Sequence, residues 1–196
     1  LPVADVHRRA RRAARAPETI VEPGRLNAQA PELRTKLWIG GDGDRMDRPL
    51  QLADLGSGAK VLFAFQHWCP GCHSRGFPAL RRLYDALSPH GVGFAAIQTV
   101  FEGEAVNTFD KLRLNQSSYD LPIPFGHDVA TPPDPLPAFM RDYQTGGTPW
   151  FTVIDTKGRV AFAGFQIDAD RMLEALSPAG AARRTPDPAL APRAGG

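Results

Sequence analysis

Residues 63–80, FAFQHWCPGCHSRGFPAL, hold both cysteines of the chain, Cys69 and Cys72. Their spacing admits three chemistries. Cys69-Pro70-Gly71-Cys72-His73 has the C-x-x-C-H order of a covalent haem attachment site, and Cys69 to Cys72 has the C-x-x-C order of a thiol-disulfide exchange pair. Two thiolates and an imidazole also suit zinc. The motif alone does not choose among them, so its surroundings must.

Residues 59–66, AKVLFAFQ, form a short, nearly continuous apolar run, the pattern of a strand covered on both faces in a sheet that is at least partly parallel. From Pro70 onward, Phe77, Leu80, Leu83, Tyr84 and Leu87 recur at spacings of three and four, which predicts a helix with one buried face ending within 88–91. Both cysteines therefore stand where a strand turns into a helix. A second strand over 92–98, VGFAAIQ, and a helix within 103–118 complete a β-α-β-α unit, whose parallel strands require such crossovers. PWFTVID, turn residues at 155–158 and RVAFAGF predict an antiparallel hairpin, followed by a helix over 168–176 with Asp168 as its N-cap. Upstream, LRTKLWI and RPLQLADL flank GGDGD and are expected to pair as a further hairpin.

That order favours exchange chemistry. Unpaired N–H groups and the positive end of the dipole at a helix N-terminus stabilise a thiolate, and such a setting lowers a thiol pKa from about 8.5 to somewhere between about 3.5 and 7.5. Cys69 is expected to attack and Cys72, one turn further on, to resolve the mixed disulfide. Pro70 suits the first turn, where its missing N–H has no intrahelical partner to lose. Haem attachment gives no reason for a buried strand before the motif, and nothing distinguishes Met46, Met140 or Met172 as a second axial ligand. Zinc lacks a fourth protein ligand at the usual spacing. No cofactor is expected.

The bulk properties bound the rest. A chain of 196 residues suits one domain with extensions, and 23 Lys and Arg against 21 Asp and Glu leave no global field of the kind that marks a nucleic-acid binder. Two cysteines cannot make the disulfide framework of a small secreted domain. Residues 1–29 read as an extension, rich in arginine at 8, 9, 11, 12 and 15; residues 30–176 as the folded domain; residues 177–196 as a flexible tail rich in Ala, Pro and Gly. Neither a secretory apolar run nor a membrane span is present in the sequence, which as written reads as cytoplasmic, or as periplasmic or secreted if a leader preceded Leu1.

Trp68-Cys69-Pro70-Gly71-Cys72 after an apolar strand, Pro78 in the following helix and Gly147-Thr148-Pro149 opening a late strand resemble the thioredoxin-fold proteins of the TlpA-like redoxin group. The resemblance spans about residues 30–176. It implies an α/β, thioredoxin-like fold, with a central mixed β-sheet flanked by helices and, here, an N-terminal β-hairpin extension. It also implies that the Thr148-Pro149 bond is cis, that Pro149 lies against the cysteines, and that Thr148 offers backbone groups to an incoming peptide added as a short strand. Trp68 and Pro70 are then expected on the face that receives substrate.

The chain departs from the family pattern at three places. Phe63 stands where thioredoxins carry a buried acid, Arg75 stands where many TlpA-like proteins carry a glutamate, and one extra residue separates the cysteines from Pro78, so the helix is expected to be irregular there. His73 and Glu102, with Glu104, are the candidates for proton transfer with Cys72. His67 is a candidate to lower the Cys69 pKa by adding charge.

The resemblance implies a thiol-disulfide oxidoreductase that exchanges electrons with protein or small-molecule thiols and disulfides and with a reducing or oxidising partner protein. Two other activities compete with this one. A peroxiredoxin-like peroxidase would carry a threonine where Gln66 precedes Cys69. A non-catalytic binding module would not need two cysteines at exchange spacing.

Overall fold

In the computed structural model, which describes residues 24–177, the apolar runs assemble into one six-stranded sheet. Its strands are β1 (Leu37–Ile39), β2 (Lys60–Phe65), β3 (Gly93–Val100), β4 (Phe125–Val129), β5 (Trp150–Ile154) and β6 (Val160–Gly164), in the spatial order β1-β4-β3-β2-β5-β6. β2, β3 and β4 are parallel, while β1, β5 and β6 pair antiparallel, so the sheet is mixed as expected. β2 lies between β3 and β5 and is covered by side chains of helices on both faces, so neither face meets water, which explains its unbroken apolar run.

Alternate residues of the strands build a core on each face. Val61, Phe63 and Phe65 of β2 pack with α1 (Phe77–Leu87), with Leu112 of α2 (Lys111–Ser118) and with α4 (Ala169–Leu176). Leu62 and Ala64 pack on the other side with Phe139 and Tyr143 of α3 (Ala138–Tyr143). The predicted stripe of α1 holds, with Phe77, Leu80, Leu83 and Leu87 all buried. Asp168 caps α4, its carboxylate accepting the N–H of Arg171 at 3.1 Å.

Four elements depart from the sequence reading. The N-terminal hairpin is abbreviated: Gly40 N–H donates to Asp44 C=O and Met46 N–H to Trp38 C=O, and Ile39 bridges Arg45. RPLQLADL supplies no return strand and instead makes one 3-10 turn, Leu52–Leu55, while β1 joins the main sheet beside β4. The helix expected within 103–118 occupies only its last part, because the buried Asn107 side chain donates to the carbonyls of Glu102 and Gly103 and bends the chain before it. β4 and α3 were not foreseen.

Residues 24–29 run beside β6, with Asn27 N–H donating to Val160 C=O and Gln29 bridging Arg159. The arginine cluster at 8–15 and all but the first residue of the 177–196 tail lie outside the described residues. Among the described residues no helix is long and apolar enough to cross a membrane.

Candidate functional site

β2 ends at Phe65, and the chain turns through Gln66, His67 and Trp68 so that Cys69 N–H donates to Gln66 C=O at 3.1 Å. Pro70 and Gly71 begin the helix, and Cys69 and Cys72 are joined by a disulfide with their Cα atoms 5.3 Å apart. The pair is asymmetric. Cys69 is half-buried and faces outward, whereas Cys72 has 0 % exposure and belongs to the core beneath α1. The N–H of Cys72 donates to the sulfur of Cys69 at 3.1 Å, which is the helix-terminus contact that stabilises negative charge there.

The extra residue ahead of Pro78 is taken up as a π-helical turn over Cys72–Gly76, from which α1 continues. Gly76 makes this turn fit. A Cβ there would lie 2.6 Å from the Phe63 ring and 3.1 Å from Pro149 Cβ. Phe63, at the position of the thioredoxin acid, is fully buried in a cluster with Phe65, Phe77 and Phe151, so no carboxylate lies beneath the cysteines at that position. The Thr148-Pro149 bond is cis, and the proline ring lies against Gly71 and Gly76 at the start of the helix.

Polar contacts hold the loops around this centre. Gln66, buried at the end of β2, donates from Nε2 to Glu102 C=O at 3.2 Å and accepts at Oε1 from the Thr148 hydroxyl at 3.3 Å. Asn107 Oδ1 accepts the His67 N–H at 2.7 Å. The His67 ring lies 3.3 Å from Asn115 Oδ1 through Nδ1, and Asn115 donates from Nδ2 to Lys111 C=O. His73 turns toward α2: its Nε2 lies 2.5 Å from His67 C=O and its Nδ1 2.6 Å from the Tyr119 hydroxyl. Both ring nitrogens of His73 are thus occupied. Burial pushes the Tyr119 phenol above its ordinary pKa, which keeps its proton in place.

Cys69 opens into a groove of about 500 Å³, lined by Gln66, Trp68, Pro70, Glu102, Thr148 and Phe165 among others. Trp68 and Phe165 are large apolar side chains left 49 % and 48 % exposed on its walls. Trp68 lies over Gly103, where a Cβ would come within 2.9 Å of the indole, and Phe165 lies over Gly146 and edge-on to Trp150. Glu102 is exposed and is the one carboxylate among the lining residues. Of the residues singled out from sequence, Trp68, Cys69, Pro70, Thr148 and Glu102 share this groove, Pro149 lies beneath it, and Cys72 and His73 lie behind it. Gln66, Asn107, Tyr119 and Phe165 were missed as site residues. Among the described residues no cluster of three or more His, Cys, Asp or Glu side chains is arranged to hold a metal ion.

The sequence matches the family model for redoxins over residues 27–175. Among solved structures, a thioredoxin-like superfamily protein is 31 % identical with a TM-score of 0.64, the match covering 75 % of this chain and 92 % of that one. A thiol-disulfide isomerase from Corynebacterium glutamicum is 26 % identical with a TM-score of 0.62, over 75 % of this chain and 96 % of its own. A thioredoxin family thiol:disulfide interchange protein from Chlorobium tepidum, 20 % identical with a TM-score of 0.55 over 76 % and 96 % of the two chains, shares the fold. No curated protein matches the chain.

Proposed function

The chain belongs to the redoxin family, and on that premise we propose that it is a thiol-disulfide oxidoreductase acting through Cys69 and Cys72. The observation that carries this reading is the asymmetry of the pair: the outward sulfur of Cys69 receives an N–H from the helix start, and Cys72 is buried one turn behind it.

When the pair is reduced, the Cys69 thiolate attacks a substrate disulfide, one substrate sulfur leaves as a thiolate, and Cys69 is held in a mixed disulfide. Cys72, losing its proton, attacks the Cys69 sulfur and releases the second substrate thiolate, so two electrons pass to the substrate and the disulfide closes. Run in reverse, the same steps oxidise a substrate dithiol. The potential of the pair against that of its compartment sets the direction. Trp68 and Pro70 border the substrate, Thr148 and Pro149 present the backbone edge along which it lies, and Glu102 is the acid-base group on the groove wall. The similarity to a thiol-disulfide isomerase supports protein disulfides as substrates.

The test is capture. Cys72→Ser should accumulate a mixed disulfide with a protein substrate, because attack proceeds and resolution does not, and Cys69→Ser should capture nothing. Capture by the Cys69→Ser protein alone would reverse the roles, and exchange by neither single variant nor the wild type would overturn the reading.

A further inference from the structure

We propose that His73 is a positioning residue: with Tyr119 it staples the turn that carries both cysteines and keeps the Cys69 sulfur on the helix N-terminus when the disulfide is open. The inference rests on the exchange chemistry proposed above.

The bonding pattern defines the staple. A carbonyl oxygen only accepts, so the 2.5 Å contact from His73 Nε2 to His67 C=O places the ring proton on Nε2. In the neutral ring Nδ1 is then an acceptor, and the Tyr119 hydroxyl 2.6 Å away donates to it, its proton retained through burial. One tautomer is selected by two partners on different elements.

The bond from residue 73 back to residue 67 spans the whole cysteine turn. The disulfide spans only residues 69 to 72, inside it. Reduction cuts the inner closure and leaves the outer one standing. Both ends of the outer closure are anchored in the segment that leads into and out of α2. His67 N–H is held by Asn107 and its ring by Asn115, while Tyr119 stacks on Phe77 with ring centres 4.2 Å apart and planes within 7°. The π turn contributes directly, since His73 is its second residue and its ring reaches Tyr119 from there.

The consequence falls on Cys69. Once the sulfurs part, the Cys69 carbonyl still accepts from the Cys72 and His73 N–H groups, and the outer closure fixes the rest of the 66–69 turn so that the Cys72 N–H keeps facing the Cys69 thiolate. Losing the staple loosens that contact, raises the Cys69 pKa and disfavours the reduced form, because the reduced form is the one that carries the thiolate.

Three variants of the full chain test this. His73→Phe keeps a ring between Tyr119 and His67 and removes both nitrogens, His73→Gln keeps an N–H directed at the His67 carbonyl, and Tyr119→Phe keeps the stack on Phe77 and removes the donor to Nδ1. The readouts are the exchange equilibrium with dithiothreitol and the pH profile of Cys69 alkylation, with thermal unfolding alongside. His73→Phe should shift the equilibrium about tenfold toward the disulfide, about 30 mV lower in potential, with the alkylation profile moved to higher pH. His73→Gln should recover most of the shift, and Tyr119→Phe should fall between.

If the variants that fold match the wild type in both equilibrium and alkylation profile, the staple is wrong, whatever happens to their melting temperature. Should His73→Phe not fold, the other two decide on the same terms. A wild-type protein that alkylates at Cys69 but does not exchange with dithiothreitol would count against the proposed function, while the alkylation profiles would still decide the staple.

Discussion

The backbone N–H of Cys72 points at the sulfur of Cys69, 3.1 Å away, while the Cys72 side chain is itself fully buried. Once the disulfide opens, that N–H is placed to stabilise charge on Cys69, while the Cys72 sulfur is withdrawn from water. In the reduced protein near neutral pH, iodoacetamide should modify Cys69 at least about tenfold faster than Cys72, since burial in apolar surroundings raises a thiol pKa. Mass spectrometry of the labelled peptides reads this directly. Equal rates would mean that the helix start does not discriminate between them.

Peroxide should be a poor oxidant of this site. The residue three before Cys69 is Gln66, whose amide is committed to Glu102 C=O and the Thr148 hydroxyl. Stopped-flow mixing with hydrogen peroxide should give a slow, thiol-like reaction, and Gln66→Thr alone should not convert it to a fast one. A rate typical of a dedicated peroxidase would count against the exchange reading.

Gly76→Ala should destabilise the fold. The added methyl would lie 2.6 Å from the Phe63 ring and 3.1 Å from Pro149, both in the packed interior. Overpacking of this kind costs about 1–3 kcal/mol, visible as a lower denaturant midpoint at unchanged slope. An unchanged midpoint would show that the turn has slack.

Much of this centre was legible in the sequence. The apolar run before Cys69 and the three-and-four spacing after it located the strand and helix, because burial on both faces and on one face leave different periods. The extra residue ahead of Pro78 signalled an irregular helix, and Cys72–Gly76 is that irregularity. β4 was hidden because FGHDV holds Gly, His and Asp, and its strand character comes from pairing with β3 and β1. α3 has six residues, too few for a helical period to emerge after the proline-rich stretch before it. Phe165 and Tyr119 reach the site through tertiary packing from positions far along the chain from Cys69, and no local pattern marks such partners.

Phe165→Ala should separate protein substrates from small ones. The half-exposed ring forms one wall of the groove. Covering what remains exposed is worth about 1 kcal/mol, or roughly fivefold in kcat/KM, for a peptide disulfide that reaches the ring. Exchange with dithiothreitol should be unaffected. An equal loss with both would place Phe165 in the support of the fold and not on the substrate.

Asp128 should leave a signature in the pH dependence of stability. Burial raises its carboxyl above the ordinary value of 3.8, against the backbone N–H bonds from Phe139 and Ala138, which favour the charged form. The folded protein then holds this proton to higher pH than the unfolded chain does. Stability falls as pH rises from 3.8 through the folded value. Asp128→Asn removes that titration, so the stability of the wild type relative to the variant should decline across this window and level off above it. Denaturant titrations at a series of pH values check the sign; a difference that grows with pH would contradict it.

The wider turn at 72–76 acts as a phase shifter. Each residue of an α-helix advances about 100° around the axis, so an extra residue absorbed in one turn offsets everything before it from everything after it. The apolar stripe of α1, set by Phe77, Leu80, Leu83 and Leu87, can stay locked on the sheet while Cys72 and His73 take an angle of their own. In a regular helix those two demands share a single rotational setting, and repacking the core would swing the thiols with it. Here they are geared separately, with Gly76 as the clutch.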